Sequence, residues 1–177
     1  SAHPGAPAPS LGEWTEARES TVEDLMAVGR LQPACVTTET PLSDVVSAML
    51  NQPGVEVVSV VREGVLVGLI DIHVLANHFF FHVLPEEFLS EVTDLQHVME
   101  FANSSRATYA GDLMREPAYV QRHETLKEAF KRMHDRHLTG VPVVDEHRHV
   151  VGYIAMLQLL SVRANEKRPI APKRAGK

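Results

Sequence analysis

The stretch GVPVVDEHRHVVGYI, residues 140–154, has a counterpart 84 positions earlier in EVVSVVREGVLVGLI, residues 56–70. The correspondence extends without a gap from residues 28–78 to residues 112–162. A period longer than about 50 residues with only two copies is not a solenoid, and one copy alone would have a marginal core. The sequence therefore predicts two similar units packed against each other, with the cleft between them as the natural place for a ligand. The identical positions are mostly apolar: Pro33/Pro117, Ala34/Ala118, Val36/Val120, Leu42/Leu126, Met49/Met133, Val57/Val141, Val60/Val144, Val67/Val151, Gly68/Gly152, Ile70/Ile154 and Leu75/Leu159.

Both copies carry the pattern of a β-α-β-β-α unit. In the first copy, residues 35–37 are predicted as a strand, and Thr40 is the predicted N-cap of a helix with Pro41 at its first position. Two apolar strands, 57–61 and 65–70, follow around a turn at 62–64, and a helix begins near Asp71. The second copy repeats this order with a strand at 119–121, a helix at 124–136, strands at 141–144 and 150–154, and a helix at 156–163. The predicted fold class is α/β (α+β), with two units related by pseudo-two-fold symmetry.

Five segments make up the predicted domain organisation. They are a flexible N-terminal lead at 1–20, a first unit at 21–80, an inserted helical linker at 81–110, a second unit at 111–163 and a basic flexible tail at 164–177. Within the linker, Pro85 begins a predicted amphipathic helix whose apolar residues follow helical spacing. Such a helix needs a surface to cover, either the core of its own module or a dimer or partner interface. Its apolar residues are Phe88, Val92, Leu95, Val98 and Met99.

Composition restricts the class of protein. The chain has 177 residues, 44% hydrophobic residues and a formal net charge of −6. These values are typical of a globular domain, and the acidic balance argues against nucleic acid as the main partner. The single cysteine, Cys35, excludes an internal disulfide and favours a reduced, cytoplasmic setting. We expect it to act as a small core hydrophobe at the start of its strand. No apolar run is long enough for a membrane span, and no signal peptide is recognisable.

Neither metal binding nor catalysis is predicted. Ten histidines are present, and His78/His82 and His134/His137 have spacings that can share a helix face. A zinc site needs three or four ligands, however, and the sequence has no cysteine pair or His-Glu-x-x-His motif. It also has no nucleophile elbow and no glycine-rich phosphate loop. We therefore predict that the protein is not an enzyme.

The second copy resembles the cystathionine-β-synthase (CBS) domain. The resemblance lies in Asp112-Leu113-Met114, in the strand 140–145 (GVPVVD) and in the strand 150–154 (VVGYI). The first copy has Val58 at the position of Pro142 but keeps the spacing. Together the copies are similar to a tandem CBS pair, or Bateman module, over residues 21–163. An Asp-Leu-Met sequence also begins at Asp24, four residues earlier than the constant offset requires.

The resemblance implies regulation rather than catalysis. Such pairs bind AMP, ADP, ATP or S-adenosylmethionine in clefts between the two units, and binding changes how the pair packs against a partner protein. The family resemblance also implies a homodimer. No other cofactor is expected, and the alternative function is a ligand-free scaffold for dimerisation or protein interaction.

The family's nucleotide-binding members carry Gly-x-x-Ser/Thr-x-x-Asp at the end of the last strand, where the hydroxyl meets phosphate and the carboxylate grips ribose. The second copy has Gly152, Ala155 and Gln158 at these positions, so only the Gln158 amide is left to bond a ribose. The first copy has Asp71 where phosphate would come and Val74 in place of the ribose carboxylate. With Glu56 expected at the same mouth, the first copy is predicted unable to hold a phosphate.

The resemblance thus places the predicted ligand site mainly in the second copy. An apolar slot and backbone groups for adenine are expected from residues 120–121 and 139–142, with positive charge from Arg122, Arg136 and His137. As a control we expect Gly140→Asp to abolish binding without unfolding the chain. The full set of predicted ligand residues is Val120, Gln121, Arg122, His137, Thr139, Gly140, Val141, Pro142, Ala155 and Gln158.

Overall fold

The computed structural model describes residues 20–29, 31–80 and 106–166. The helix predicted to begin at Pro85, and most of the predicted lead and tail, lie outside these residues. The described elements follow the predicted β-α-β-β-α order in both copies. They are α1 (Val22–Val28), β1 (Cys35–Thr37), α2 (Leu42–Leu50), β2 (Val57–Arg62), β3 (Val65–Asp71), α3 (Ile72–Phe80), α4 (Ala110–Leu113), β4 (Val120–Gln121), α5 (Leu126–Asp135), β5 (Gly140–Val144), β6 (Val150–Ala155) and α6 (Met156–Glu166).

Each unit contains one three-stranded sheet. The strand order is β1-β2-β3 in the first unit and β4-β5-β6 in the second. In both sheets the first strand pairs in parallel with the middle strand, which pairs antiparallel with the third. The predicted repeat of topology is therefore confirmed. The registers differ by one residue, because Gly68 faces Val60 whereas Gly152 faces Val143, the residue before the repeat counterpart Val144.

The turn between β2 and β3 follows directly from its sequence. Glu63 and Gly64 have φ angles of 52° and 80°. Positive φ at both central residues gives a two-residue turn whose twist matches that of the flanking strands. In the second unit the longer turn is organised by Asp145, whose Oδ1 accepts the backbone N–H groups of His147 and His149 at 2.9 Å each.

The two units exchange their first helices. Helix α1, which precedes β1, packs against β6 of the second unit, whereas α4, which precedes β4, packs against β1 and β3 of the first. At the start of α1 the Val22 N–H donates to the Glu124 carbonyl at 2.8 Å. At the start of α4 the Ala110 N–H donates to the Thr40 carbonyl at 2.8 Å. The exchange makes each unit depend on the other for part of its packing.

The two Asp-Leu-Met sequences take equivalent places in this exchange. Met26 of α1 lies over Gly152 of β6, and Met114, which follows α4, lies over Gly68 of β3. A glycine at each strand position leaves room for the methionine to approach the sheet. The two Asp-Leu-Met sequences are four residues further apart than the repeat offset. The difference therefore lies in the length of the chain that leads from each of these sequences to the first strand of its unit.

Two local expectations were wrong. Cys35 is exposed, because the alternation of the short strand β1 buries Val36 and turns its neighbours outward. Partial desolvation raises the pKa of the Cys35 thiol, which disfavours the thiolate. Helix α2 begins one residue later than expected, with Pro41 at the N-cap. Thr40 does not cap the helix, since its hydroxyl accepts the Thr37 N–H at 3.1 Å.

The core combines the inner faces of both sheets with the helices that cover them. Its largest fully buried side chains include Tyr153, Leu66, Leu69, Ile70 and Met133. None of the helices within the described ranges is long and apolar enough to cross a bilayer.

Candidate functional site

The candidate site lies where β5 begins and β6 ends. Gly140 and Ala155 face each other as strand partners, and the Thr139 carbonyl accepts the Met156 N–H at 2.7 Å. One turn into α6, the Gln158 Oε1 accepts the Ala155 N–H at 2.9 Å. Four of the predicted ligand residues (Thr139, Gly140, Ala155 and Gln158) are thus brought together at one edge of the second sheet.

The first unit contributes Glu56 to this edge. The Thr139 hydroxyl donates to the Glu56 carboxylate at 3.3 Å, and the Glu56 N–H donates to the Tyr153 hydroxyl at 3.4 Å. Burial raises the pKa of Tyr153 to about 12, so this hydroxyl is neutral at physiological pH. The structure therefore places a carboxylate of the first unit beside the site of the second. Sequence reasoning placed Glu56 at the mouth of its own copy and did not find Tyr153.

Gly140 cannot carry a side chain in this arrangement. A Cβ atom built on Gly140 would lie 1.9 Å from the Tyr153 hydroxyl oxygen and 2.3 Å from its Cζ. Both Gly140 and Tyr153 are buried, so neither has free space into which to move. The expectation that Gly140→Asp would silence binding without unfolding the chain was wrong, because the substitution would also disrupt the core.

Three predicted residues lie at the other end of the sheet. In the parallel pairing of β4 with β5, Val120 lies opposite Val143. Thr139 comes four residues before Val143, immediately before the start of β5. At about 3.3 Å per residue this is a separation of roughly 13 Å. The Gln121 N–H donates to Glu124, and the Arg122 carbonyl accepts an N–H of α1. The structure thus does not bring Val120, Gln121 and Arg122 together with Gln158.

The remaining predicted residues shape the site from behind or from its rim. Val141 and Pro142 are buried in β5. His137 is exposed and has a φ of 52° at the end of α5, where the Leu138 N–H donates to the Met133 carbonyl at 2.8 Å. This bond is typical of a helix that ends in a left-handed residue, a position usually taken by glycine. The His137 backbone conformation is therefore set by the helix end.

The arginines near the site already have partners. The Arg136 guanidinium donates to the Glu116 carbonyl at 2.6 Å. The Arg132 guanidinium donates to the Tyr119 carbonyl and forms an ion pair with Glu124 at 3.0 Å. The Arg136 guanidinium, which was expected to supply positive charge to the site, is thus hydrogen-bonded to the segment that leads into β4.

In the first unit, the position equivalent to Ala155 is occupied by a paired carboxylate. Asp71 is 7% exposed, and its Oδ1 accepts the N–H groups of His73 and Val74 at 2.9 and 3.1 Å. Its Oδ2 pairs with the Arg115 guanidinium at 2.9 Å. The carboxylate thus takes the N-terminal N–H groups of α3 that an anion would otherwise meet. Arg115 offsets the charge of Asp71, so charge repulsion alone would not exclude a phosphate. The main obstacle would be that these N–H groups already donate to Asp71.

The segment after α1 passes close to Gln158. A Cβ atom built on Gly29 would lie 2.1 Å from the Gln158 Nε2. Gly29 is thus the second residue of the site that sequence reasoning missed, and the only signal was a glycine at a helix end. Within the described ranges, no group of three or more His, Cys, Asp or Glu side chains could hold a metal ion.

Comparison with known proteins agrees with this fold. A family model described as the CBS domain matches residues 110–165. The crystal structure of a CBS domain-containing protein from Thermotoga maritima is 28% identical with a TM-score of 0.67, covering 86% of this chain and 99% of its own. The protein contains a CBS domain and folds as a CBS pair. A search of curated proteins found no match.

Two more distant CBS pairs share the fold. The CBS domain pair of protein MJ0100, in complex with 5′-methylthioadenosine and S-adenosyl-L-methionine, is 18% identical with a TM-score of 0.57. It covers 84% of this chain and 99% of its own. CBSX2, a CBS-pair protein from Arabidopsis thaliana, is 18% identical in its AMP complex, with a TM-score of 0.60 and the same coverages.

Proposed function

We propose that this CBS pair is a regulatory sensor that binds one adenosine-type ligand in the cleft between its units, at the edge formed by Thr139, Gly140, Ala155 and Gln158. The ligand class is AMP, ADP, ATP or S-adenosylmethionine. The observation that carries the proposal is the convergence of these residues with Glu56 of the other unit, because a ligand there would touch both units. The proposed role is regulatory rather than catalytic, in a cytoplasmic setting.

Relatives with the same fold support the ligand class. MJ0100 is described in complex with 5′-methylthioadenosine and S-adenosyl-L-methionine, and CBSX2 in complex with AMP. The other predicted residues then have indirect roles: Val141 and Pro142 support the edge, whereas Val120, Gln121 and Arg122 are too far away to contact the same ribose.

The first unit is proposed to bind no ligand of this kind. Asp71 occupies the N-terminal N–H groups of α3 and is held by Arg115. A phosphate would have to break these contacts and lie against the carboxylate. The proposal therefore requires one ligand per chain rather than two.

Isothermal titration calorimetry with AMP, ADP, ATP and S-adenosylmethionine tests the proposal. We expect at least one ligand to bind with a stoichiometry near one. Gln158→Ala removes the proposed ribose contact and is expected to weaken binding about 3- to 10-fold, since a neutral hydrogen bond contributes about 0.5 to 1.5 kcal/mol. Val74→Ala changes the equivalent position of the first unit and is the matched control, expected to leave affinity unchanged.

Two results would contradict the sensor. One is absence of heat from all four ligands with a chain that circular dichroism shows to be folded. The other is a stoichiometry of two, which would mean that the Asp71–Arg115 pair does not close the first unit. Equal losses from Gln158→Ala and Val74→Ala would show that the ligand lies elsewhere.

A homodimeric scaffold is the second candidate function. It is favoured by an apolar face on the helices of the second unit, where Leu157, Leu160 and Phe130 are 74%, 54% and 45% exposed. Apolar side chains exposed together in this way are typical of an interface. We expect light scattering after size exclusion to give the mass of a dimer and Leu157→Glu to reduce it to that of a monomer. An unchanged mass in this variant would exclude this face as the interface.

A further inference from the structure

The side-chain amide of Gln158 has a defined orientation at the edge of the second sheet. Its Oε1 accepts the N–H of Ala155 at 2.9 Å. Because a backbone N–H can only donate, the amide oxygen must be the atom that faces it. The Nε2 group is thereby turned to the other side, where Gly29 lies. Nε2 is a donor, so it suits an acceptor such as the oxygen of a ribose hydroxyl.

An additional turn of α1 brings Gly29 to this amide. Helix α4 ends at Leu113, the leucine of its Asp-Leu-Met sequence, whereas α1 continues past the equivalent Leu25 to Val28. The Gly29 N–H donates to the Leu25 carbonyl at 2.9 Å, which holds Gly29 at the end of this turn. The extra length that follows the first Asp-Leu-Met sequence therefore begins with a segment that reaches the proposed site of the second unit.

The backbone at Gly29 does not itself require a glycine. Its φ and ψ are −104° and 107°, in the extended region that any residue adopts. The close neighbour is the amide, because a Cβ atom built on Gly29 would lie 2.1 Å from the Nε2 and 3.3 Å from the Cδ of Gln158. Both atoms belong to the far end of a flexible side chain. A side chain at position 29 would therefore displace the Gln158 amide and leave the helix in place.

We infer that Gly29 is a positioning residue of the ligand site. By leaving room beside Gln158, it keeps the amide in the orientation in which Oε1 is bonded to Ala155 and Nε2 is available to the ligand. The first unit then contributes Gly29 as well as Glu56 to the site of the second unit. The role toward a ligand rests on the proposed function, whereas the orientation of the amide can be measured without a ligand.

Hydrogen exchange followed by NMR on the ligand-free full chain tests the orientation. Gly29→Ala should move Oε1 away from Ala155, so we expect the Ala155 amide hydrogen to exchange about 3- to 10-fold faster, as it should in Gln158→Ala. Val28→Ala is the matched control, because the Val28 side chain is 85% exposed, and it should leave this exchange rate unchanged. An unchanged rate in Gly29→Ala, or an equal increase in Val28→Ala, would overturn the inference.

Calorimetry with AMP, ADP, ATP and S-adenosylmethionine on the same variants tests the role toward a ligand. We expect Gly29→Ala to weaken binding about 3- to 10-fold, the loss expected for Gln158→Ala. The double variant should bind no more weakly than Gln158→Ala alone, because Gly29 acts only through Gln158. Val28→Ala should leave the affinity unchanged.

The two measurements separate a failure of the inference from a failure of the proposed function. Absence of heat from all four ligands in the unmodified chain would refute the proposed function, while the exchange rate of Ala155 would still decide whether Gly29 positions the amide. Binding that is weakened by Gln158→Ala but not by Gly29→Ala would overturn the inference alone. Additive losses in the double variant would overturn it as well, since Gly29 would then act on the ligand by another route.

Discussion

The exchanged helices can be tested by adding one methyl group at either of two equivalent glycines. A Cβ atom on Gly68 would lie 2.6, 2.8 and 2.9 Å from the Sδ, Cβ and Cγ of Met114. A Cβ atom on Gly152 would lie 2.3 Å from the Cε of Met26, with the next atom at 3.4 Å. The first contact includes an atom fixed to the backbone, whereas the second involves only the free end of a flexible side chain.

Gly68→Ala should therefore cost more stability than Gly152→Ala. Relieving the clash at Gly68 requires α4 to move away from β3. Overpacking of this kind costs about 1 to 3 kcal/mol, and we expect the free energy of unfolding to fall by about 3 kcal/mol. Relieving the clash at Gly152 requires only a new rotamer of Met26, so we expect the free energy of unfolding to fall by about 1 kcal/mol. For a chain of this size these losses correspond to about 6 to 12 °C and 2 to 4 °C in melting temperature.

Thermal unfolding followed by circular dichroism measures both values, and double variants locate their cause. Met26→Ala should remove the extra cost of Gly152→Ala, because it deletes the only atom in close contact. Met114→Ala should remove only part of the cost of Gly68→Ala, since the Cβ contact remains. Equal losses at the two glycines, or additive losses in both double variants, would refute the packing of α1 and α4 described above.

Two further predictions concern single side chains. Ser59 is buried and, among the described residues, its hydroxyl has no hydrogen-bond partner, while the second unit has Pro142 at the equivalent place in its sheet. Ser59→Ala should raise the melting temperature by about 2 to 4 °C, and a decrease would show that the hydroxyl is bonded. The N–H groups of His149 and His147 donate to Asp145 and lower its pKa below the ordinary value of 3.8. The Asp145 carboxylate therefore stabilises the fold above pH 3.8, and this stabilisation is lost as the pH falls through the lowered pKa. An NMR titration that gave Asp145 a pKa at or above 3.8 would contradict this prediction.

The sequence was sufficient for the topology because the repeat fixes it twice. The apolar strand segments and the glycine of each third strand recur in both copies, so an error in one copy would conflict with the other. The exchange of α1 and α4 could not be predicted from local pattern, since it depends on which sheet a short helix reaches after its linker. The same reason explains Cys35, whose outward position follows from a pairing between distant strands.

The candidate site was predicted less completely than the fold. Ala155 and Gln158 were found because they replace residues of a motif with fixed spacing. Tyr153 and the contact of Glu56 with the second unit were missed, because the Glu56–Tyr153 hydrogen bond crosses the unit boundary between residues 97 apart in sequence. Val120, Gln121 and Arg122 are near Gly140 in neither sequence nor space, and only the parallel register of β4 with β5 shows this separation.

The two copies differ at the site in a coordinated way. Aligning the Asp-Leu-Met sequences pairs Arg115 with Ala27, and the constant offset pairs Asp71 with Ala155. Both members of the first unit's ion pair are therefore alanine in the second unit. Asp71 is 7% exposed, so without Arg115 its carboxylate would be buried without a cation, which is unfavourable. This joint difference is the physical reason to expect one unit closed by its own ion pair and one unit open to a ligand.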